Sequence, residues 1–106
     1  MSFRYMRIIL FFDLPTLTSE HQRAYRRFVK NLKKDGFYML QESVYVKMAI
    51  DKQVADSSIN RINNYLPKEG NVITLVITEK QFSTMNIILG ESKTDVVNDV
   101  DRVVVL

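Results

Sequence analysis

The sequence predicts an α+β fold in which one antiparallel sheet carries two helices on the same face. Three observations support this. Residues 8–12 are consecutive bulky apolar residues, the pattern of a central strand covered on both faces. Residues 19–35 place apolar side chains at helical spacing. Residues 71–78 form a second strongly apolar strand, with shorter strands and another helix between.

Length and composition indicate one globular domain over residues 1–106, with 46% hydrophobic and 25% charged residues. The absence of cysteine excludes disulfides and thiolate zinc sites. The single histidine, His21, cannot support a multi-histidine metal site, and we expect it at the surface near a helix start. No apolar run approaches the ~20 residues of a membrane span and no signal-peptide pattern is present, so we expect a cytoplasmic protein.

The first strand ends at Asp13, which is followed by Leu14 and Pro15. Proline has no N–H to donate and ends the ladder, so a carboxylate lies where a buried strand reaches solvent. Ends of central strands often carry ligands and chemistry, which makes Asp13 the first candidate functional residue. The structural alternative is an aspartate that opens a turn and accepts backbone hydrogen bonds.

A helix is predicted over residues 19–35, with hydroxyl N-cap candidates before it and Gly36 as its stop. One face is apolar, formed by Ala24, Tyr25, Phe28, Val29 and Leu32. The opposite face carries six cations, namely Arg23, Arg26, Arg27, Lys30, Lys33 and Lys34. Such a stripe is either a solvated surface or a contact surface for phosphates. Because all six charges are positive, we give the two interpretations equal weight.

The charge of the chain is uneven. Residues 1–52 contain ten lysines and arginines against five acids, whereas residues 53–106 contain five against seven. A basic surface of this kind is expected of a protein that binds polyanions.

Residues 37–40 and 43–50 are predicted as two short strands, or as one bent strand. A second helix is predicted over residues 52–66, ended by residues 67–70. Its predicted inner face consists of Val54, Ala55, Ile59, Ile62 and Leu66. With residues 71–78 beside the first strand, the order is β-α-β-β-α-β, a ferredoxin-like unit.

Residues 79–106 extend this unit. We predict a short turn at 81–85 and strands at 86–90 and 102–106. Apolar strands added to a complete sheet need a partner, and the economical partner is a second copy of the chain. We therefore expect an obligate homodimer, with residues 79–106 as a dimerisation and partner-binding extension.

Catalytic motifs are few. The sequence has no GxxxxGK[ST], GxGxxG, HExxH or EF-hand pattern. Asp13 could hold Mg²⁺, which usually takes one or two carboxylates together with waters and substrate phosphates. A dimer that brought two Asp13 side chains together would double the ligands and could activate water for phosphodiester hydrolysis.

Several residues together carry a family resemblance: Asp13 at the end of an apolar first strand, Arg26-Arg27 on the next helix, Leu32 with Gly36, then Gln41 and Ser43-Val44-Tyr45. In this order they resemble the CRISPR-associated protein 2 family, the small subunit of the spacer-acquisition complex, over nearly the whole chain. Residues 4–7, 13–15 and 102–104 most resemble the variant that accompanies the large single-protein effector nuclease.

The resemblance implies a ferredoxin-like homodimer whose C-terminal strands cross to the partner's sheet. It also implies that the dimer lies between two CRISPR integrase dimers and spans double-stranded DNA. Asp13 matches the family acid proposed to bind Mg²⁺ in endonuclease activity on RNA or DNA, although many members have Tyr where this chain has Phe12. Arg26 and Arg27 match the basic positions of the family's first helix. We expect them to contact phosphate, or one of them to support the Asp13 site by an ion pair instead.

Three hypotheses follow. The first is a DNA-binding scaffold for spacer acquisition, whose affinity depends on backbone electrostatics. The second is a Mg²⁺-dependent endoribonuclease or endodeoxyribonuclease that acts through paired Asp13. The third, an RNA-recognition module, requires exposed aromatics in the RNP1 pattern, and the sequence contains no such pattern.

Overall fold

The computed structural model describes residues 5–90. Its elements, in chain order, are β1 (Met6–Asp13), α1 (Ser19–Lys34), β2 (Tyr38–Gln41), β3 (Val44–Ala49), α2 (Lys52–Ile62), a 3₁₀ turn (Asn63–Tyr65), β4 (Asn71–Thr78) and α3 (Glu79–Phe82). No helix among the described residues is both long and apolar enough to cross a membrane.

The four strands form one antiparallel sheet in the order β2-β3-β1-β4. β1 is central, as its continuous apolar run predicts, and pairs along its whole length with β4, from Met6 opposite Thr78 to Asp13 opposite Asn71. The architecture confirms the predicted α+β, ferredoxin-like fold.

The main core lies between the sheet and the two long helices. Ile8, Leu10 and Phe12 point from β1 to this side, because alternate side chains of a strand share a face. Phe28 and Leu32 of α1 pack on them. The apolar face predicted for α1 is therefore confirmed.

Residues 5–90 cover the opposite side of the sheet only in part. Ile9 and Val46 are buried beneath Phe82 of α3. Farther along, four large apolar side chains stay well exposed, and we call this surface the open face: Phe11, Met48, Ile73 and Leu75. Strand register places all four on the side of the sheet away from α1 and α2.

The inner face of α2 differs from the prediction. Ala55 and Ile62 are buried as predicted, but Val54 and Leu66 are exposed, and Ser58, which was not predicted, is buried. Two small residues allow the helix to approach the sheet closely. Leu66 leaves the face because the α-helix ends at Ile62 and a 3₁₀ turn changes the rotation per residue.

The strand predicted at 86–90 is absent from the described chain, where these residues follow an irregular path and Ile88 and Leu89 are almost fully exposed. A strand requires a hydrogen-bonding neighbour, and the described part of a single copy offers none to this segment. The turn predicted at 81–85 corresponds to α3 and the turn that follows it. The predicted strand at 102–106 and residue Arg4 lie outside the described residues.

Candidate functional site

Asp13 is the last residue of β1, and strand alternation directs its side chain to the same side of the sheet as Phe11. The residue is exposed. Its carboxylate has neither a hydrogen bond nor an ion pair with any residue from 5 to 90, so the turn-capping alternative is not observed there. The side chain is therefore available to a metal, a substrate or a partner at the edge of the open face.

The main chain at Asp13 is held in place by the loop that precedes β4. Gly70 has a φ of +108°, and a Cβ added to it would lie 2.7 Å from the carbonyl oxygen of Asp13 and 2.6 Å from Cδ2 of Leu14. Only glycine accepts this conformation and this approach. The sequence identified residues 67–70 merely as a helix-breaking segment, and the contact could not be seen in it.

One copy of the chain supplies few metal ligands. Within residues 5–90, no group of three or more His, Cys, Asp or Glu side chains could hold an ion. Asp13 alone fits a Mg²⁺ site only if a second carboxylate or substrate phosphates complete it.

Phe12 belongs to the opposite side of the sheet. Its ring packs edge-to-face on Tyr25 and Phe28, with centroids 5.6 Å apart in both pairs, and near Tyr45. Phe12 is therefore a core residue, and its side chain lies on the side of the sheet opposite that of Asp13.

All six cations predicted on the outer face of α1 are exposed, and we call them the basic stripe: Arg23, Arg26, Arg27, Lys30, Lys33 and Lys34. None forms an ion pair in the described part of the chain, so the ion pair considered between Asp13 and Arg26 or Arg27 is absent. The stripe lies on the helical side of the sheet and Asp13 on the other. The structure thus separates the two candidate sites.

The start of α1 is defined by a capping box. Thr18 Oγ1 accepts a hydrogen bond from the backbone N–H of His21 at 3.0 Å, and His21 Nδ1 accepts from the N–H of Thr18 at 3.4 Å. Such reciprocal bonds satisfy donors that have no partner inside the helix. His21, expected near a helix start, therefore has a structural role there.

Asp35 ties the other end of α1 to the rest of the domain. Its carboxylate accepts hydrogen bonds from Arg61 Nε at 3.0 Å, Tyr65 at 2.9 Å and Lys47 at 3.4 Å. Burial opposes ionisation of Asp35, but these donors prevail and lower its pKa. Burial and the bond to Asp35 raise the pKa of Tyr65. The network orients the helix that carries the basic stripe.

Arg7 is almost fully buried on the side of the sheet away from α1 and α2. It donates two hydrogen bonds to Glu79, at 2.6 and 3.0 Å, and a third to the hydroxyl of Tyr38 at 2.7 Å. Its guanidinium also lies over the ring of Phe82, 4.4 Å from the centroid. Although burial opposes the charge, these partners raise the pKa of Arg7 and fasten α3 to the sheet.

A family model and two curated relatives all match this chain to the same protein family. A family model described as CRISPR associated protein Cas2 matches residues 6–85. A Treponema denticola protein named CRISPR-associated endoribonuclease Cas2 is 48% identical over 101 residues, which is 95% of this chain and 100% of that protein. A protein of the same name from Ligilactobacillus salivarius is 43% identical over the same shares of both chains.

The fold is also similar to a solved structure described as "Crystal structure of cas2". The TM-score is 0.58, and the match covers 85% of this chain and 92% of that one. Since the sequence identity is 19%, this likeness concerns the fold alone.

Proposed function

This chain belongs to the CRISPR-associated protein Cas2 family, and from that membership we propose that it is the DNA-binding homodimeric scaffold of the CRISPR adaptation complex. In this role it bridges integrase dimers and holds the new spacer DNA for integration into the CRISPR array. The observation that carries the proposal is the basic stripe, six exposed cations on one helix without an ion pair inside residues 5–90.

The geometry of the stripe supports duplex binding. Between Arg23 and Lys34 it extends over roughly 16 Å at the helical rise of 1.5 Å per residue. DNA carries one phosphate per 3.4 Å along each strand, so several phosphates face such a length. Contacts of this kind neutralise phosphates without reading bases, as a spacer of arbitrary sequence requires.

The open face supports the homodimer. Exposed apolar side chains such as Phe11, Ile73 and Leu75 form a continuous surface across β1 and β4. A contiguous exposed apolar patch marks an interaction site, and two identical patches bury each other through a two-fold axis. In such a dimer α1 of each protomer lies on the side away from the interface, so both basic stripes stay exposed and available to DNA.

Salt dependence and the contribution of the stripe test DNA binding. We compare the wild type with a triple variant, Arg26→Gln, Lys30→Gln and Lys33→Gln, and with Lys80→Gln, an exposed lysine on α3. Each lost phosphate contact should reduce the slope of log K against log salt by about 0.9. The triple variant should therefore show a flatter slope and Lys80→Gln the wild-type slope. Equal slopes of log K against log salt in all three proteins would contradict the proposal.

Spacer integration tests the scaffold role directly. A mixture of this protein, its integrase partner, a short duplex and Mg²⁺ is compared with the same mixture containing Asp13→Ala. Equal integration supports a scaffold in which Asp13 takes no chemical part. Loss of integration, with the variant still dimeric and still bound to the integrase, contradicts it and favours the second function.

The second function is a Mg²⁺-dependent endonuclease that acts on RNA or DNA through Asp13. The endoribonuclease name of the relatives and the exposed carboxylate beside the open face favour it. Two Asp13 residues of a dimer would hold the ion, which would supply an activated water for attack on a phosphodiester. Mg²⁺-dependent cleavage should then disappear in Asp13→Asn while the dimer persists. Cleavage retained by that variant would exclude this function.

A further inference from the structure

A cavity of about 570 Å³ lies between the first turns of α1 and residues 66–69, the loop before β4. Its floor includes Leu14 and Pro15, which follow β1 directly. The cavity lies next to α1, and Asp13 is not among the residues that line it. It is therefore separate from the proposed metal site and from the proposed dimer interface. Its volume falls within the range of small-molecule sites.

Three cations line this cavity. Arg23 and Arg27 are one helical turn apart on α1, and Lys68 belongs to the facing loop. Within residues 5–90, none of the three has an ion pair or a side-chain hydrogen bond that would neutralise it. A concave space lined by three cations, two of them arginines whose guanidinium groups can bind in a bidentate fashion, is suited to a phosphate group.

Two carboxylates, those of Glu20 and Glu69, also line the cavity, and Glu69 has a hydrogen-bond partner. Glu69 Oε1 is 3.1 Å from His21 Nε2. Because His21 Nδ1 accepts from the N–H of Thr18, Nε2 carries the proton and donates it to Glu69. Glu20 is the second carboxylate. Acceptors beside the cations would weaken binding of a bare phosphate, but they can receive hydrogen bonds from sugar hydroxyls or from amino groups of a base.

The remaining walls are apolar. Leu66 and Pro67 face the cavity from the loop, and Ala24 and Tyr25 face it from α1. Leu66, expected in the core of α2, is instead exposed at this edge. The flat ring of a base can pack against such an apolar wall, whereas inorganic phosphate has no apolar surface to bury there.

We infer that this cavity binds one nucleoside monophosphate unit, with its phosphate on Arg23, Arg27 and Lys68 and its base against the apolar wall. The unit has two sources, a free nucleotide or the 5′-phosphorylated end of a nucleic-acid strand. Arg23 and Arg27 also belong to the basic stripe, so the strand-end source rests on the proposed function. Lys68 belongs to the cavity alone.

The experiment uses fluorescence anisotropy with the full-length protein and three probes. They are a labelled single strand with a 5′-phosphate, the same strand with a 5′-hydroxyl, and a labelled nucleoside monophosphate. Lys68→Glu changes the cavity alone, and Lys34→Glu, at the far end of the stripe, is the matched control. Both residues are exposed, so both variants should fold, and Lys68→Gln provides a milder second change.

For a strand end, the wild type should bind the phosphorylated strand about tenfold more tightly than the hydroxyl strand, as expected for a charge-assisted hydrogen bond. Lys68→Glu should abolish that ratio and Lys68→Gln should reduce it. Lys34→Glu should weaken both strands and preserve the ratio. For a free nucleotide, the monophosphate should bind saturably and lose affinity in Lys68→Glu, with no strand preference.

Two results would overturn the inference. In one, the wild type shows neither a preference for the 5′-phosphate nor saturable binding of the nucleotide. In the other, Lys34→Glu and Lys68→Glu change all three probes alike. Failure of the proposed function has a different signature: Lys34→Glu would then leave both strands unchanged, while the monophosphate would still bind saturably and lose affinity in Lys68→Glu.

Discussion

Gly70 lies directly against the main chain of Asp13, so that a Cβ at position 70 would be 2.7 Å from the Asp13 carbonyl oxygen. This contact joins the end of β1 to the loop before β4. It supports the backbone that presents the Asp13 carboxylate on one side and the loop that forms the cavity wall on the other.

Substitution of Gly70 should therefore be costly. Gly70→Ala combines a positive φ with a clash against main chain, and we expect a loss of about 3 kcal/mol in the free energy of unfolding. Gly90→Ala is the matched control, because Gly90 has a φ of +114° and no atom of residues 5–90 lies within 4 Å of its Cβ position. It should lose about 1 kcal/mol. Urea unfolding measures both, and equal losses would contradict a tight contact at Gly70.

Removal of the Arg7 guanidinium should loosen α3. Arg7→Met keeps an unbranched apolar stem but leaves the Glu79 carboxylate without its partner, and we expect a loss of about 2 kcal/mol because Glu79 is partly solvated. Lys52→Met breaks an exposed pair with Asp56 and should cost less than about 1 kcal/mol. Chemical denaturation distinguishes the two, and comparable small losses would mean that the Arg7 cluster contributes little.

The decrease in the free energy of unfolding at acidic pH should depend on Asp35. Its pKa is lowered from 3.8 in the folded protein, so its contribution is complete above 3.8 and disappears as the pH falls toward the lowered value. Asp35→Asn should lower stability at neutral pH and lose less stability than the wild type on acidification through this range. Asp56→Asn, in an exposed pair, should follow the wild-type profile. Unfolding curves at a series of pH values test this, and parallel profiles for all three proteins would refute it.

The open face should control the oligomeric state. Leu75→Lys places a charge in the apolar patch, and we expect a folded monomer by light scattering and circular dichroism because burial of an unpaired ammonium is costly. Leu17→Lys changes a leucine that is 88% exposed in the loop before α1 and should remain dimeric. A dimer that survives Leu75→Lys would direct the search for the interface to another surface.

Local sequence patterns predicted most of the elements. The helix α1 and its basic stripe follow from spacing within one segment, and the strand β1 follows from a continuous apolar run. The errors concern residues whose partners are distant. Ser58 replaced Val54 in the core because close packing of α2 on the sheet favours small residues, and residues 86–90 have no strand because a ladder needs a neighbour.

The sequence by itself determined that this chain has a ferredoxin-like sheet, a basic helix and an aspartate at the end of the central strand, because each depends on residues close together in the chain. Only the tertiary structure decided that Asp13 and the basic stripe lie on opposite sides of the sheet. It alone brought Glu79 to Arg7 across 72 positions, and Gly70 to Asp13. These contacts depend on how distant segments pack, which the spacing of residues along one segment does not encode.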